Sequence, residues 1–327
     1  MQQKTITYSK NVFLPLTTVC RNRCGYCSYR TQVQDGCLMP PDVVCDTLRR
    51  GAASGCTEAL FTFGERPGEE EGFDRHLEAI GYTDILDYCY DLCLEAIDLG
   101  LLPHTNAGVL TYDELARFRA VNASMGLMLE TTADIPAHTQ SPGKDPGVRI
   151  QMIEDAGRLK IPFTTGLLVG IGETAADREE SLETIAAIHR QYHHIQEVII
   201  QNFCPKPGTP MGEDGTVTRE EFAETIRSAR AILPEDVAVQ IPPNLAEARF
   251  FLEYGVDDLG GVSPVTVDYI NPEHAWPEID KLKGITRGYA LRERLCIHPQ
   301  YIRRGWFDPG LAPLIMKLDK QIQEQNL

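Results

Sequence analysis

The sequence predicts an α/β fold in which parallel strands alternate with helices. Short apolar runs of strand length are followed by longer segments whose apolar residues recur with the period of a helix. This alternation occurs seven times and ends in one further short strand, with short connections of the kind that join parallel strands to the helices around them. The chain has 327 residues, 43% of them hydrophobic, which suits one large domain or two ordinary ones.

The elements follow one another from the first strand onward. The first half is predicted to contain strands at 11–17, 58–63, 101–106 and 123–130, and helices at 40–53, 82–97, 111–121 and 147–160. The second half is predicted to contain strands at 162–170, 196–203, 236–241 and 256–260, and helices at 174–193, 218–233 and 244–254. Thr111 and Glu114 have the spacing of a capping box, which marks a helix N-terminus.

Eight strands with intervening helices indicate a (β/α) barrel of the triosephosphate-isomerase type, either complete or partly open. The alternative is a doubly wound open sheet, which carries a glycine fingerprint after its first strand. This chain has cysteines at that point, which favours the barrel. From residue 264 onward the content of proline and aromatic residues rises. We therefore expect a barrel over residues 1–263 and an extension of helices and loops over 264–327 that packs on it.

Composition argues against several functions. The formal net charge is −16 and basic residues never cluster beyond adjacent pairs, so a nucleic acid is not an expected partner. No apolar run approaches the ~20 residues that cross a bilayer, and the N-terminus lacks the apolar region of a signal peptide. The ten cysteines are too few and too scattered for a disulfide scaffold of this length. A reducing cytoplasm is the expected location.

Three cysteines form the most informative motif. Cys20, Cys24 and Cys27 lie in one short loop after the first strand, and Tyr26 precedes the third. Three thiolates can hold three corners of an iron–sulfur cluster and leave one metal position open for a substrate or cofactor. The alternatives are three unrelated cysteines or a zinc site completed by histidine. Zinc loops have a two-residue first gap and a second pair, and neither occurs here, which favours the iron–sulfur interpretation.

Further candidate residues follow the other predicted strands, where the active site of a parallel barrel lies. Polar residues or glycines occur at each strand end, and we expect them to converge on one mouth. Glu130 ends an apolar strand, and burying its carboxylate would be costly without a partner. The other residues are Gly64, Glu65, His104, Thr105, Asn106, Gly170, Gly172, Glu173, Gln201, Asn202 and Asn244.

The cysteine loop resembles the signature of the radical S-adenosylmethionine (SAM) superfamily, in which an aromatic residue precedes the third cysteine. The resemblance implies that Cys20, Cys24 and Cys27 hold a 4Fe-4S cluster and that the open iron binds the methionine part of SAM. An electron from the reduced cluster would cleave SAM, and the resulting 5′-deoxyadenosyl radical would take a hydrogen atom from the substrate.

The same resemblance connects other strand ends with SAM. Gly64 and Glu65 resemble the Gly-Gly-Glu element that holds the methionine amino group, with Phe63 in place of the first glycine. Glu130 resembles the carboxylate that holds the ribose hydroxyls. Residues 166–172 resemble the glycine-rich fifth strand that backs the adenine. The expected cofactor contacts are Tyr26, Gly64, Glu65, Glu130, Gly166, Gly170 and Phe203.

Longer stretches resemble the first-subunit family of FO synthases, which make the 8-hydroxy-5-deazaflavin chromophore of coenzyme F420. These stretches are 19–30, 61–67, 102–108, 125–131, 163–174 and 196–203. The family implies the substrate 5-amino-5-(4-hydroxybenzyl)-6-(D-ribitylimino)-5,6-dihydrouracil, which a separate tyrosine-using radical SAM subunit supplies. Hydrogen abstraction from the benzylic carbon, ring closure onto the uracil side, loss of ammonia and an oxidation would give the aromatic deazaflavin. The implied electron donor is a ferredoxin or flavodoxin.

The substrate contacts are predicted by position alone, and no residue is assigned as the catalytic base. They are His104, Asn106, Gln201, Asn202 and Asn244. The remaining seven cysteines, Cys37 and Cys204 among them, form no second cluster loop. Two alternatives stay open. One is another radical SAM enzyme, such as the tyrosine-cleaving partner subunit or a biotin-synthase-like enzyme. The other is an iron–sulfur electron carrier without catalytic activity.

Overall fold

The computed structural model describes residues 4–36 and 38–326, and eight parallel strands in it form a closed barrel. The strands are β1 (Thr5–Leu14), β2 (Glu58–Thr62), β3 (Leu102–Asn106), β4 (Ser124–Gly126), β5 (Phe163–Val169), β6 (Ile195–Asn202), β7 (Ala238–Gln240), β8 (Asp258–Val262) and an additional β9 (Ala290–Glu293). Neighbours along the chain pair from β2 to β8, and β1 pairs with both β8 and β2. The predicted barrel is therefore confirmed in its complete form.

Helices surround the barrel. They are α1 (Pro41–Ala53), α2 (Asp74–Glu78), α3 (Ile85–Asp98), α4 (Tyr112–Arg119), α5 (Pro146–Arg158), α6 (Ala175–Tyr192), α7 (Arg219–Ile232), α8 (Ala248–Phe251), α9 (Ile279–Ile285), α10 (Pro299–Arg304) and α11 (Ala312–Gln325). Short 3₁₀ turns lie at Val33–Asp35, Pro67–Glu69, Pro136–His138, Pro142–Lys144, Leu252–Tyr254 and Pro309–Leu311. Within the described ranges, no helix is long and apolar enough to span a bilayer.

Capping residues set the starts of several helices at the positions predicted from the sequence. The Thr111 hydroxyl accepts a hydrogen bond from the Glu114 amide at 3.3 Å, and the Glu114 carboxylate accepts one from the Thr111 amide at 2.7 Å. This confirms the predicted capping box at the start of α4. Thr174 and Thr218 cap α6 and α7 in the same way. These reciprocal bonds satisfy amides that a helix start leaves unpaired.

Several predicted elements are shorter than expected; β7, for example, keeps only Ala238–Gln240 of the strand predicted over 236–241. The strand predicted over 123–130 ends at Gly126. Beyond it the Leu127 and Glu130 amides still bond to backbone carbonyls of β5, but the Leu129 amide donates to Thr165 Oγ1 at 3.2 Å and Glu130 has a left-handed φ of 69°. The helix predicted over 244–254 forms only α8 and a 3₁₀ turn. Its first residue, Asn244, instead bonds to Asp268 at 2.9 Å.

The C-terminal extension contributes a strand that the sequence did not indicate. Strand β9 pairs in parallel with Thr5–Tyr8, so β1 begins six residues earlier than expected. The residues after β9 close the end of the barrel at which its strands begin. There the Cys296 carbonyl accepts hydrogen bonds from Ser124 Oγ at 2.9 Å and Gln196 Nε2 at 2.7 Å. These contacts support our proposal that residues 264–327 extend a barrel of residues 1–263.

A buried ion network crosses this closed end. Arg294 is only 5% exposed, and its guanidinium lies 2.6 Å from Asp258 Oδ2 and 2.6 Å from Glu197 Oε2. Thr164 Oγ1 donates to Glu197 at 2.8 Å. Burial disfavours the charged carboxylate, but Arg294 and His298 hold the pKa of Glu197 below its ordinary value. One arginine therefore ties the extension to two barrel strands.

Candidate active site

Two cavities that share part of their walls occupy the barrel and its mouth. The outer cavity, of about 270 Å³, lies against the cysteine loop and the strand ends. The inner cavity, of about 220 Å³, extends down the barrel interior. Both are lined by Thr62, Asn106, Met128, Gln201, Ile270 and Asn271. A ligand in one cavity can therefore contact a ligand in the other.

Cys20, Cys24 and Cys27 all lie on the wall of the outer cavity as half-buried free thiols. Cys20 Sγ accepts a hydrogen bond from the Glu65 amide at 3.2 Å, and Cys24 Sγ accepts one from Ser141 Oγ at 3.4 Å. Such bonds stabilise negative charge on sulfur. Burial raises the pKa of the metal-free Cys20 thiol to about 11, so a bound metal is what would make it a thiolate.

The spacing of the three sulfurs does not suit a single zinc ion. Among the described residues, the one trio of His, Cys, Asp or Glu ligand atoms within 4.8 Å of one another is that of Glu197, Asp258 and His298, so the three cysteine sulfurs are not this close together. Sulfurs bound to one tetrahedral zinc lie about 3.8 Å apart, given a Zn–S distance of about 2.3 Å. A cubane cluster places its ligands on different irons and so needs a wider spacing. The donor set fits the cluster.

Gly64 allows the chain after β2 to approach the cysteine loop. A Cβ atom at this position would lie 1.9 Å from the Val19 carbonyl oxygen and 2.9 Å from Cys20 Cβ. The backbone of one segment would have to move away from the other to accommodate a side chain. Glycine is therefore required for packing between the two segments that carry Cys20 and Glu65.

Gly64→Ala is expected to lower the free energy of unfolding by about 3 kcal/mol, the upper part of the range for overpacking. The variant should also bind less iron on reconstitution, because Cys20 is displaced. Denaturant unfolding and iron analysis measure the two effects. Gly68→Ala is the matched control, since no atom lies within 4 Å of its added Cβ. Equal stability and iron content in the two variants would contradict this role of Gly64.

Glu65 lies on the cavity wall with its carboxylate paired to the protein. Its Oε1 lies 2.9 Å from Arg21 Nη2, and its Oε2 accepts from the Val109 amide at 3.0 Å, with Arg149 Nη2 3.7 Å away. Burial would raise the pKa of Glu65, but Arg149, the Val109 amide and Arg21 hold it below its ordinary value. The carboxylate therefore binds the cysteine loop to the barrel, and residues 63–65 all line the outer cavity.

Glu130 forms an ion pair with a residue that sequence reasoning missed. Lys144 Nζ lies 2.5 Å from Glu130 Oε1, and both residues line the outer cavity. Burial would raise the pKa of Glu130, but Lys144 and Arg149 hold it below its ordinary value. Lys144 also lies over the Tyr26 ring, 5.8 Å from its centroid. The sequence did indicate that Glu130 needs a cation nearby, because a buried carboxylate requires a partner, and Lys144 is that cation.

Five of the seven predicted cofactor contacts line the outer cavity, and two do not. The five are Tyr26, Gly64, Glu65, Glu130 and Phe203. The two that do not line it are Gly166 and Gly170. A Cβ on Gly166 would lie 2.3 Å from the Ile199 carbonyl oxygen, so this glycine permits close packing of β5 on β6. Gly170 has a φ of 101° and donates its amide to Glu173 Oε1 at 2.7 Å.

Four of the five predicted substrate contacts line the inner cavity, namely His104, Asn106, Gln201 and Asn244. Asn202 does not. It follows Gln201 on β6, and successive side chains of a strand point to opposite faces. Its Nδ2 instead donates to the Leu245 carbonyl at 3.1 Å.

His104 is held as one neutral tautomer. Ser124 Oγ donates to the Cys296 carbonyl, so it accepts from His104 Nδ1, which lies 2.7 Å away. Burial lowers the pKa of His104 to about 4. The imidazole is therefore neutral at physiological pH, with its Nε2 as a hydrogen-bond acceptor on the wall of the inner cavity.

Sequence reasoning missed two parts of the inner cavity. The extension contributes Asp268, Ile270, Asn271 and Trp276, which the proline and aromatic content alone did not assign to a site. Polar residues deep in the barrel form the second part, which we call the barrel floor: Ser9, Asn11, Glu58, Glu197 and Arg294. Glu58 opens an apolar strand, and a carboxylate at such a position was a usable signal. Cys204 lines the outer cavity, and Cys37 lies outside the described residues.

Glu58 leads to a prediction about pH. Burial raises its pKa from 4.5 to about 7; Ser9 and Arg294 limit the rise, and Glu197 and Asp258 add to it. The folded protein thus binds this proton more tightly than the unfolded chain, and stability falls as the pH rises from about 4.5 through about 7.

Glu58→Gln cannot ionise. Its free energy of unfolding should exceed that of the wild type by a margin that grows over this pH range and reaches about 3 kcal/mol above about pH 7. Denaturant unfolding of both proteins at a series of pH values measures the margin. A margin that is independent of pH would show that ionisation of Glu58 carries no cost.

Comparisons with known proteins agree with this geometry. The sequence model of the Radical SAM superfamily matches residues 14–185. A 7,8-didemethyl-8-hydroxy-5-deazariboflavin synthase from Methanosphaerula palustris is 63% identical over 327 residues, covering 100% of both chains. One from Methanosarcina mazei is 53% identical over 315 residues, covering 96% of this chain and 94% of that protein.

Two solved structures share the fold at low sequence identity. The FeFe-hydrogenase maturase HydG from Carboxydothermus hydrogenoformans superposes with a TM-score of 0.70 at 14% identity, over 97% of this chain and 82% of the other. Methylornithine synthase (PylB) superposes with a TM-score of 0.60 at 16% identity, over 87% and 81% of the respective chains. At these identities the likeness shows a shared fold alone.

Proposed function

The chain belongs to the radical SAM superfamily and, within it, to the 7,8-didemethyl-8-hydroxy-5-deazariboflavin (FO) synthases, and on that premise we propose how its residues divide the work. The enzyme forms FO from 5-amino-5-(4-hydroxybenzyl)-6-(D-ribitylimino)-5,6-dihydrouracil by hydrogen abstraction, cyclisation, loss of ammonia and a final oxidation, in which one electron passes to a one-electron acceptor and one proton is lost. The outer cavity holds the 4Fe-4S cluster and SAM, and the inner cavity holds the substrate. The observation that carries this division is the wall that both cavities share.

The cysteine loop binds the cluster through Cys20, Cys24 and Cys27. When bound, the cluster and SAM supply the 5′-deoxyadenosyl radical. The Glu65 amide and the Ser141 hydroxyl donate to two of the sulfurs and so hold the loop in one orientation. The three sulfurs are not all within 4.8 Å of one another, and this supports a cluster over a single zinc ion.

SAM contacts the strand ends that line the outer cavity. The backbone of residues 63–65 takes the methionine amino group, because the Glu65 carboxylate is already paired with Arg21 and Arg149. Glu130 takes the ribose hydroxyls through Oε2, which bonds to no described residue, while Lys144 holds Oε1. Tyr26 and Phe203 supply aromatic surface on the same wall.

The substrate contacts the inner cavity through polar groups of several strands. His104 Nε2 accepts a hydrogen bond, and the amides of Asn106 and Gln201 lie where the two cavities meet. The Asn244 amide is positioned by Asp268 and the His274 carbonyl. These side chains suit a ligand with a uracil ring and hydroxyl groups, which presents both donors and acceptors.

We further propose the partners that this reaction requires. A second, tyrosine-using radical SAM subunit supplies the substrate, and a ferredoxin or flavodoxin supplies the electron. A cytoplasmic location is proposed with them, because the nine described cysteines are all free thiols.

The decisive experiment gives reduced, reconstituted enzyme SAM together with the product of the partner subunit. Fluorescent FO and 5′-deoxyadenosine should both form, with about four irons per chain. Formation of 5′-deoxyadenosine without FO would indicate another radical SAM enzyme. A protein that binds the cluster but never cleaves SAM would be an electron carrier.

A further inference from the structure

At the floor of the inner cavity three buried acids, Glu58, Glu197 and Asp258, lie near one buried cation, Arg294, which does not pair with all of them. Glu197 and Asp258 both pair with Arg294. Glu58, which is 5% exposed, forms no ion pair with any described residue, and its one protein hydrogen bond is from Ser9 Oγ to Oε2 at 2.8 Å. Its Oε1 is therefore available to a ligand in the cavity.

Asn11, beside Glu58, provides a second side-chain oxygen that lacks a hydrogen-bond partner. The two residues are partners across β1 and β2. Asn11 is 1% exposed, and its Oδ1 has no hydrogen-bond partner. Buried polar atoms almost always have partners, so two such groups side by side indicate a polar ligand.

Above its floor the inner cavity combines the polar groups of His104, Asn106, Gln201 and Asn244 with apolar side chains that suit rings. Phe13 and Leu60 follow Asn11 and Glu58 by two residues along β1 and β2, and they are also partners across these strands. Nearer the mouth the wall includes Met128, Ile270 and Trp276. The polar end of a ligand is therefore favoured at the floor and its rings above it.

We propose that the barrel floor is the subsite for the polyol chain of the substrate, with Glu58 and Asn11 bonding its hydroxyls while the uracil and phenol rings lie above. This inference rests on the proposed function. The benzylic carbon must reach the outer cavity, and the substrate amino group is on the adjacent ring carbon, so neither reaches the floor. The phenol has one hydroxyl on an apolar ring, whereas the ribityl chain carries several hydroxyls that both donate and accept.

A metal ion is a poorer occupant of the floor. Glu197, Asp258 and His298 have ligand atoms close enough for one ion. However, Arg294 already lies 2.6 Å from each of the two carboxylates, and an ion would have to displace it. The raised pKa of Glu58, about 7, instead suits hydroxyls, because this carboxyl can both donate and accept near neutral pH.

The test compares two probes by titration calorimetry, 5-amino-6-(D-ribitylamino)uracil and 5,6-diaminouracil, which lacks the polyol. Wild-type enzyme should bind the ribityl probe at least about tenfold more tightly, as expected for one to two buried hydrogen bonds. Glu58→Leu, which removes both oxygens at similar volume, should lose most of this ratio. Glu58→Gln keeps a donor and an acceptor and should retain part of it.

Glu293→Leu is the matched control, because Glu293 is also a buried acid but pairs with Lys10 outside the cavity. Its ratio should equal that of the wild type. An unchanged ratio in folded Glu58→Leu, or no preference of the wild type for the ribityl probe, would overturn the subsite. The proposed function is tested separately, since wild-type enzyme would still form FO in either case.

Discussion

Cys24→Ala is expected to abolish cluster binding and SAM cleavage in a protein that still folds. Two thiolates from one short loop cannot hold a cubane that needs three. Cys24 is half-buried, and Ser141 Oγ is the described side chain that bonds its sulfur, so little packing is lost. Iron should fall from about four per chain to less than about one. Formation of 5′-deoxyadenosine should fall about a thousandfold or more, since the chemistry belongs to the cofactor.

Cys45→Ala is the control for the loss of a half-buried thiol. Cys45 lies on α1 and lines neither cavity, so this variant should keep its full iron content and activity. Iron analysis, visible absorbance and chromatography of 5′-deoxyadenosine are measured on both proteins. If Cys24→Ala kept about four irons and full cleavage, the loop would not be the cluster site.

Arg294→Met is expected to lower the free energy of unfolding by about 3–5 kcal/mol. It removes the cation from the buried carboxylates of Glu197 and Asp258, and a buried charge left without its partner is strongly destabilising. The loss should shrink at acid pH, because Arg294 holds the pKa of Glu197 below its ordinary value, and without Arg294 this carboxyl is protonated and neutral at a higher pH. Urea unfolding at neutral and acid pH measures both effects.

Two further variants test whether the loss of stability in Arg294→Met comes from the buried carboxylates. Arg292→Met removes an exposed arginine from β9, two residues before Arg294, and should change stability by no more than about 0.5 kcal/mol. Combining Arg294→Met with Glu197→Gln and Asp258→Asn removes the uncompensated charge and should recover much of the loss. A cost at Arg294 no greater than that at Arg292 would show that the network does not stabilise the fold.

The parts of the site that sequence reasoning found are those that local sequence encodes. The spacing of Cys20, Cys24 and Cys27 places three thiols on one loop whatever follows, and Thr111 caps its own helix. Glu130 was recognisable because a carboxylate at the end of an apolar run needs a partner. The order of strands and helices fixed the barrel, since few topologies fit such regular alternation.

The parts that were missed depend on contacts between distant segments. Gly166 was predicted to contact the adenine; in the structure it makes room for the backbone of β6 and does not line the outer cavity. Asn202 does not line the inner cavity, and a strand end does not reveal which of two successive residues faces inward. Strand β9 and Arg294 come from the extension, whose place inside the barrel is set by pairing with β1.

The pairing of the first strand with the last also bears on the order of events during synthesis. Tyr8 and Glu293 are separated by 285 residues, so β1 gains this neighbour only when almost the whole chain has left the ribosome. The cysteine loop, near the N-terminus, leaves it early, but Ala137 and Met211, which anchor Gly25, follow much later. We therefore expect slow, late folding of the barrel and insertion of the cluster after translation ends.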